Sequence, residues 1–166
     1  MFKSGLQVKS ILSAAKGVDL GYSRTDIPYF LYIPVNDHEA CDIGKFFHQA
    51  ANFINDCLQR TNLMVHCLAG VSRSVSLVLS YLMKHKGHSF QSAFDMVKSR
   101  RRIIHPNEGF IQQLKKFERE VSSPYEHKSL SSSPSRRNMY RDNSLSSSPS
   151  KKYTPNREIE AIIEKY

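Results

Sequence analysis

The sequence predicts an α/β sandwich, and three observations carry that prediction. Short apolar runs rich in β-branched and aromatic residues alternate with three-and-four hydrophobic spacing; one such run opens directly through a glycine-containing turn into a long apolar helix; and the remainder of the periodic region is helical. A chain of 166 residues supports one hydrophobic core and is too short for two ordinary domains with linkers. Aliphatic periodicity is almost confined to residues 1–121, which are the predicted domain.

Residues 8–14 and 29–35 are short, apolar and bounded by Gly or Pro, so both are predicted as buried strands. Across 41–58, Ile43, Phe46, Phe47, Ala50, Phe53, Ile54 and Leu58 form one broad helical stripe, with Asp42 acidic in the first turn. Residues 62–67 contain the continuous run Leu63-Met64-Val65, the pattern of a strand covered on both faces. A helix is predicted over 72–86, stopped by Gly87 as a left-handed cap. Ser89 is placed to cap a helix reaching about Arg102, and Asn107, after Pro106, to cap a last one on which Phe110, Ile111, Leu114 and Phe117 share a face.

Composition narrows the functional classes. No run approaches the roughly 18 to 20 apolar residues of a membrane span, and Met1-Phe2-Lys3-Ser4-Gly5 lacks the apolar run of a secretory signal. Three cysteines without repeated spacing suit reduced thiols, so an intracellular setting, cytoplasm or nucleus, is expected. The net charge of +9 is spread along the chain, with 16 Lys and Arg against 10 Asp and Glu in residues 1–121. The densest run, Arg100-Arg101-Arg102, reads as a solvated helix face, and the absence of a basic stripe interleaved with aromatics argues against nucleic acid.

The chemistry concentrates in His66-Cys67-Leu68-Ala69-Gly70-Val71-Ser72-Arg73-Ser74. A cysteine between a buried strand and a helix N-terminus meets inward backbone N–H groups and the positive end of the helix dipole, which favour its thiolate. The same N–H groups of residues 68–73 complement a phosphate dianion. Gly70 lets the backbone close around the oxyanion, and Arg73, six residues after Cys67, brings a planar fork back to hold two phosphate oxygens. The Ser74 hydroxyl is placed to hydrogen-bond the sulfur and make it a better leaving group. His66 reads as a hydrogen-bonded residue that orients the loop, and Cys41 and Cys57 as helix-face packing residues.

This string resembles the HCxxGxxR[ST] signature of cysteine-based protein tyrosine phosphatases, in the form found in the dual-specificity subgroup, especially the atypical and mitogen-activated protein kinase phosphatases. Ile33-Pro34-Val35-Asn36-Asp37, Tyr81-Leu82-Met83 and Arg102-Ile103-Ile104-His105-Pro106-Asn107-Glu108-Gly109-Phe110 resemble further segments of that family in order and spacing. The resemblance implies a phosphatase-like sandwich around a mostly parallel sheet, its N-terminal edge shortened relative to the family. It implies a phosphocysteine mechanism needing no metal or organic cofactor, and phosphorylated proteins, mitogen-activated protein kinases among them, as substrates. It also implies that Asp37 is the general acid. Independently, that role needs a carboxyl on a loop beside the phosphate; Asp37 follows a strand, Asp42 is explained by helix capping, and Glu39 is the nearest rival. A phosphoprotein-binding pseudophosphatase is the alternative reading.

Beyond residue 121 the composition turns to Ser, Pro, Lys, Arg and Asn, and the string 129–135 recurs as 144–150. Residues 122–157 are expected to be disordered, because they cannot bury enough apolar area to offset chain ordering. Ser133 and Ser148, each before Pro, are candidate sites for proline-directed kinases, and 158–166 regain helical spacing.

Overall fold

The computed structural model describes residues 8–17 and 27–123, and the expectations for the Ser-rich segment and the C-terminal helix lie outside the described residues. Three strands, β1 (Val8–Ser13), β2 (Tyr29–Tyr32) and β3 (Asn62–His66), form a parallel sheet in the order β2-β1-β3. In the register Leu12 lies beside Val65 and Ile11 beside Met64. Neighbours in register share a face, so Leu12, Leu63 and Val65 join the helix-side core while Ile11 and Met64 are buried on the other face. This is the two-sided burial expected of a continuous apolar strand.

The strand expected over 29–35 is shorter and more exposed than predicted. Tyr29, Phe30 and Tyr32 are about two-fifths exposed, because β2 ends the described sheet and pairs only with β1. Aromatic and β-branched content reports a strand but not its place in the strand order. Past β2 the chain turns inward again: Ile33 and Val35 are buried on either side of exposed Pro34, anchoring the loop that carries Asp37.

The helix expected from residue 41 begins later. Gly44–Phe46 form a 3-10 turn, and α1 spans Phe47–Leu58, burying Phe47, Ala50, Ala51, Ile54 and Cys57. Ile43 is buried ahead of the helix, so the hydrophobic stripe extends further than the helical backbone. Asp42 accepts a hydrogen bond from the Lys45 N–H (3.3 Å), which gives it the local capping role read for it, at the 3-10 turn.

Helix α2 (Arg73–Lys86) is the centre of the molecule. Every residue from Arg73 to Met83 is buried, and α1, α3, α4 and β3 all pack against it. It ends at Gly87 with φ of 70°, the left-handed cap that glycine adopts without penalty. Helix α3 (Phe90–Arg100) starts under Ser89, whose hydroxyl accepts the Ser92 N–H, and α4 (Glu108–Val121) under Asn107, whose side-chain oxygen accepts the Phe110 N–H; each cap is worth about 1 kcal/mol. Phe110, Leu114 and Phe117 are the buried face of α4. Among the described residues no helix is long and apolar enough to cross a membrane.

Candidate active site

The end of β3 delivers Cys67 into the centre of the molecule, and α2 starts only six residues later. Cys67, Ser72, Arg73 and Ser74 are all more than nine-tenths buried, whereas Leu68, between them, is 73% exposed. The loop therefore keeps its chemical groups inside and turns an apolar side chain out. Gly70 adopts φ of +63°, the left-handed geometry that the turn requires.

The Cys67 sulfur lies 3.2 Å from the Ser74 hydroxyl and 3.3 Å from the Gly70 N–H. Burial alone would raise the thiol's pKa. Hydrogen bonds from the Ser74 hydroxyl, the Ser74 N–H and the Gly70 N–H, together with the nearby Arg73 charge, outweigh it and hold the pKa below its ordinary value. His66 is buried, and its Nδ1 lies 3.2 Å from the Cys67 carbonyl. A carbonyl only accepts, so the Nδ1 carries the proton; burial lowers the imidazole's pKa and keeps it neutral. His66 thus holds the backbone at Cys67.

Arg73 donates from Nη1 to the Val35 carbonyl (3.2 Å), and its Nε lies 3.7 Å from Asp37 Oδ2. The Nε makes no hydrogen bond among the described residues although it is buried. A guanidinium held at this loop with an unspent donor suits a ligand that brings two acceptor oxygens.

Asp37 is brought to this cluster, and Glu39 is not. Asp37 Oδ1 accepts from the Ser72 hydroxyl (2.7 Å) and from Asn107 Nδ2 (2.8 Å), and the Asn107 N–H in turn donates to Ser72 Oγ (3.3 Å). Oδ1 thus accepts twice, and Oδ2 faces the Arg73 Nε. Glu39 packs on α4 through its backbone: a Cβ on Gly109 would overlap the Glu39 carbonyl, so this close approach of α4 to the loop carrying Asp37 requires glycine. Asp42 belongs to the 3-10 turn described above.

Two features went beyond the sequence reading. Asn107, read only as a cap, does both jobs: Oδ1 caps α4 while Nδ2 holds Asp37. The reading of Arg100-Arg101-Arg102 as a solvated helix face is corrected at Arg101. Helix α3 stops at Arg100, the chain becomes extended, and Arg101 Nε donates to the Gly70 carbonyl at 3.0 Å. Both contacts join residues 31 or more positions apart, which spacing does not report. Cys41 and Cys57 are free thiols packed on or in the core, and burial raises the Cys57 pKa, so that thiol stays protonated.

Comparison with known proteins identifies the family. Residues 1–120 match the family model described as dual specificity phosphatase, catalytic domain. Human dual specificity protein phosphatase 9 is 34% identical over 129 residues, covering 77% of this chain and 34% of that protein's own length. The crystal structure of human DUSP28 superposes with a TM-score of 0.66 at 28% identity, over 70% of this chain and 78% of that one. The human tyrosine phosphatase-like serine/threonine/tyrosine-interacting protein superposes with a TM-score of 0.63 at 29% identity, over 69% and 78% respectively. By the family-model match over residues 1–120, the chain belongs to the dual-specificity phosphatase family.

Proposed function

We propose that the chain is a protein phosphatase that hydrolyses phosphotyrosine and phosphoserine or phosphothreonine through a phosphocysteine. The observation that carries the proposal is the convergence of two segments: the loop after β2 brings Asp37 against Ser72 and Arg73 of the loop that holds Cys67. In the first step the Cys67 thiolate attacks phosphorus, the S–P bond forms, the P–O bond breaks, and the leaving oxygen takes the proton of Asp37. In the second, Asp37 accepts a proton from water, the oxygen attacks phosphorus, and the sulfur departs as thiolate while Ser74 donates a hydrogen bond to it. Arg73 and the loop N–H groups hold the equatorial oxygens throughout.

Each chemical role has an occupant, which favours turnover over the pseudophosphatase alternative. Phosphorylated proteins are the substrate class, and the resemblance favours mitogen-activated protein kinases among them. A reduced Cys67 is a condition of the chemistry, which supports a setting in the cytoplasm or nucleus. The test is hydrolysis of a small aryl phosphate and of phosphotyrosine and phosphothreonine peptides by the full chain beside Cys67→Ser. Turnover on both peptides, lost in the variant, is expected; wild-type activity no greater than that of Cys67→Ser contradicts the proposal.

A further inference from the structure

Arg101 lies against the phosphate loop from outside. Its Nε donates to the Gly70 carbonyl at 3.0 Å, and its Nη2 would lie 2.9 Å from a Cβ built on Gly70, so the guanidinium takes the space any side chain there would need. One peptide further on, the Val71 carbonyl accepts the His105 N–H at 2.9 Å. Two consecutive loop carbonyls are therefore tied to the segment that follows α3.

A trans peptide holds its C=O and N–H in one plane, pointing in opposite directions. A Gly70 carbonyl drawn outward to Arg101 sets the Val71 N–H to the opposite side, and a Val71 carbonyl drawn outward to His105 does the same for the Ser72 N–H. The phosphate loop needs inward N–H groups before an anion arrives, because donors that must reorient during the reaction lose much of their value. The Gly70 N–H is already committed to the Cys67 sulfur, so the same stretch of backbone serves both nucleophile and anion.

We propose that Arg101 is a positioning residue for the phosphate loop: by holding the Gly70 carbonyl outward it keeps the Val71 N–H turned toward the oxyanion. It acts through the Gly70–Val71 peptide and does not touch substrate. The proposal rests on the reading of residues 67–73 as a phosphate site, but its test does not depend on turnover. Arg101→Met keeps an apolar stem and removes the donor; Arg101→Lys keeps charge and removes the planar fork.

The experiment measures orthovanadate affinity, the Cys67 thiolate titration by ultraviolet absorbance, and thermal stability on the full chain. In Arg101→Met, orthovanadate should bind about 10-fold or more weaker, below the ~10²- to 10³-fold cost of deleting an oxyanion donor outright, and the Cys67 titration should move to higher pH. Arg101→Lys should recover only part of the affinity. Full recovery by lysine would mean that charge alone suffices and would overturn the proposal. Unchanged orthovanadate affinity and unchanged Cys67 titration in folded Arg101→Met would overturn it as well. Failure of wild type to bind orthovanadate would instead refute the underlying phosphate site.

Discussion

Two cysteines in this protein are buried to almost the same degree and have opposite acidities. Cys57 is 5% exposed and Cys67 is 8% exposed, yet the pKa of the first is raised and that of the second lowered. Burial opposes the thiolate at both. Cys57 sits in the last turn of α1, where burial, helped by the like charge of Asp56, outweighs a hydrogen bond from Ser10 and the charge of Arg60. Cys67 precedes the first turn of α2, where the helix presents N–H groups, with Ser74, Gly70 and Arg73 all favouring the anion. The lesson is that the acidity of a buried thiol here is set by the donors and charges around the sulfur, not by exposure or by cysteine itself.

That contrast is broken most severely at Arg73. Arg73→Lys keeps the charge but loses the fork that holds two oxygens, and kcat should fall by about 10³-fold, measured on a peptide substrate, with the fold intact by circular dichroism. Asp37→Asn separates acid from nucleophile: kcat should fall by about 10²-fold for a poor leaving group and little for a highly activated aryl phosphate, while Cys67 alkylation is unaffected. A uniform loss across leaving groups would remove Asp37 from the acid role.

Asn107→Asp sharpens the comparison at the positioning level. The aspartate still caps α4, so thermal stability should hold, but it replaces the Nδ2 donor with a carboxylate against Asp37 Oδ1, and kcat/KM should fall by about 10-fold. The smallest effect is expected at Ser74→Ala, which removes the hydroxyl's hydrogen bond to sulfur. A group whose pKa is depressed in the folded protein is ionised at lower pH than it would otherwise be. Losing a depressing hydrogen bond therefore moves the ascending limb of kcat/KM against pH to higher pH, toward the behaviour of Cys57.

The parts of this molecule that were legible in the sequence are those written in neighbouring residues. The phosphate loop is a contiguous string, so Cys67, Gly70, Arg73 and Ser74 are read together, and Gly87, Ser89 and Asn107 punctuate helices through bonds spanning a few positions. What was hidden depends on packing between distant segments. Asn107 reaches Asp37 across 70 positions, Ser72 reaches it across 35, and Arg101 reaches Gly70 across 31. The exposure of β2 was hidden for a related reason, since strand order sets it and composition does not. Helix α1 begins after the stripe that announced it because Ile43 and Phe46 pack from a 3-10 turn and the residue before it, which keep nearly the same angular spacing.

The account stands on the Cys67 sulfur forming a bond to phosphorus, and one measurement addresses that bond. A reaction of the full chain with a phosphotyrosine peptide is quenched within a single turnover, and peptide mass spectrometry locates the retained phosphoryl group. The account predicts phosphate on Cys67, absent in Cys67→Ser and longer-lived in Ser74→Ala, with none on Cys57 or Cys41. Turnover with no phosphoryl group on Cys67 at any time would contradict it.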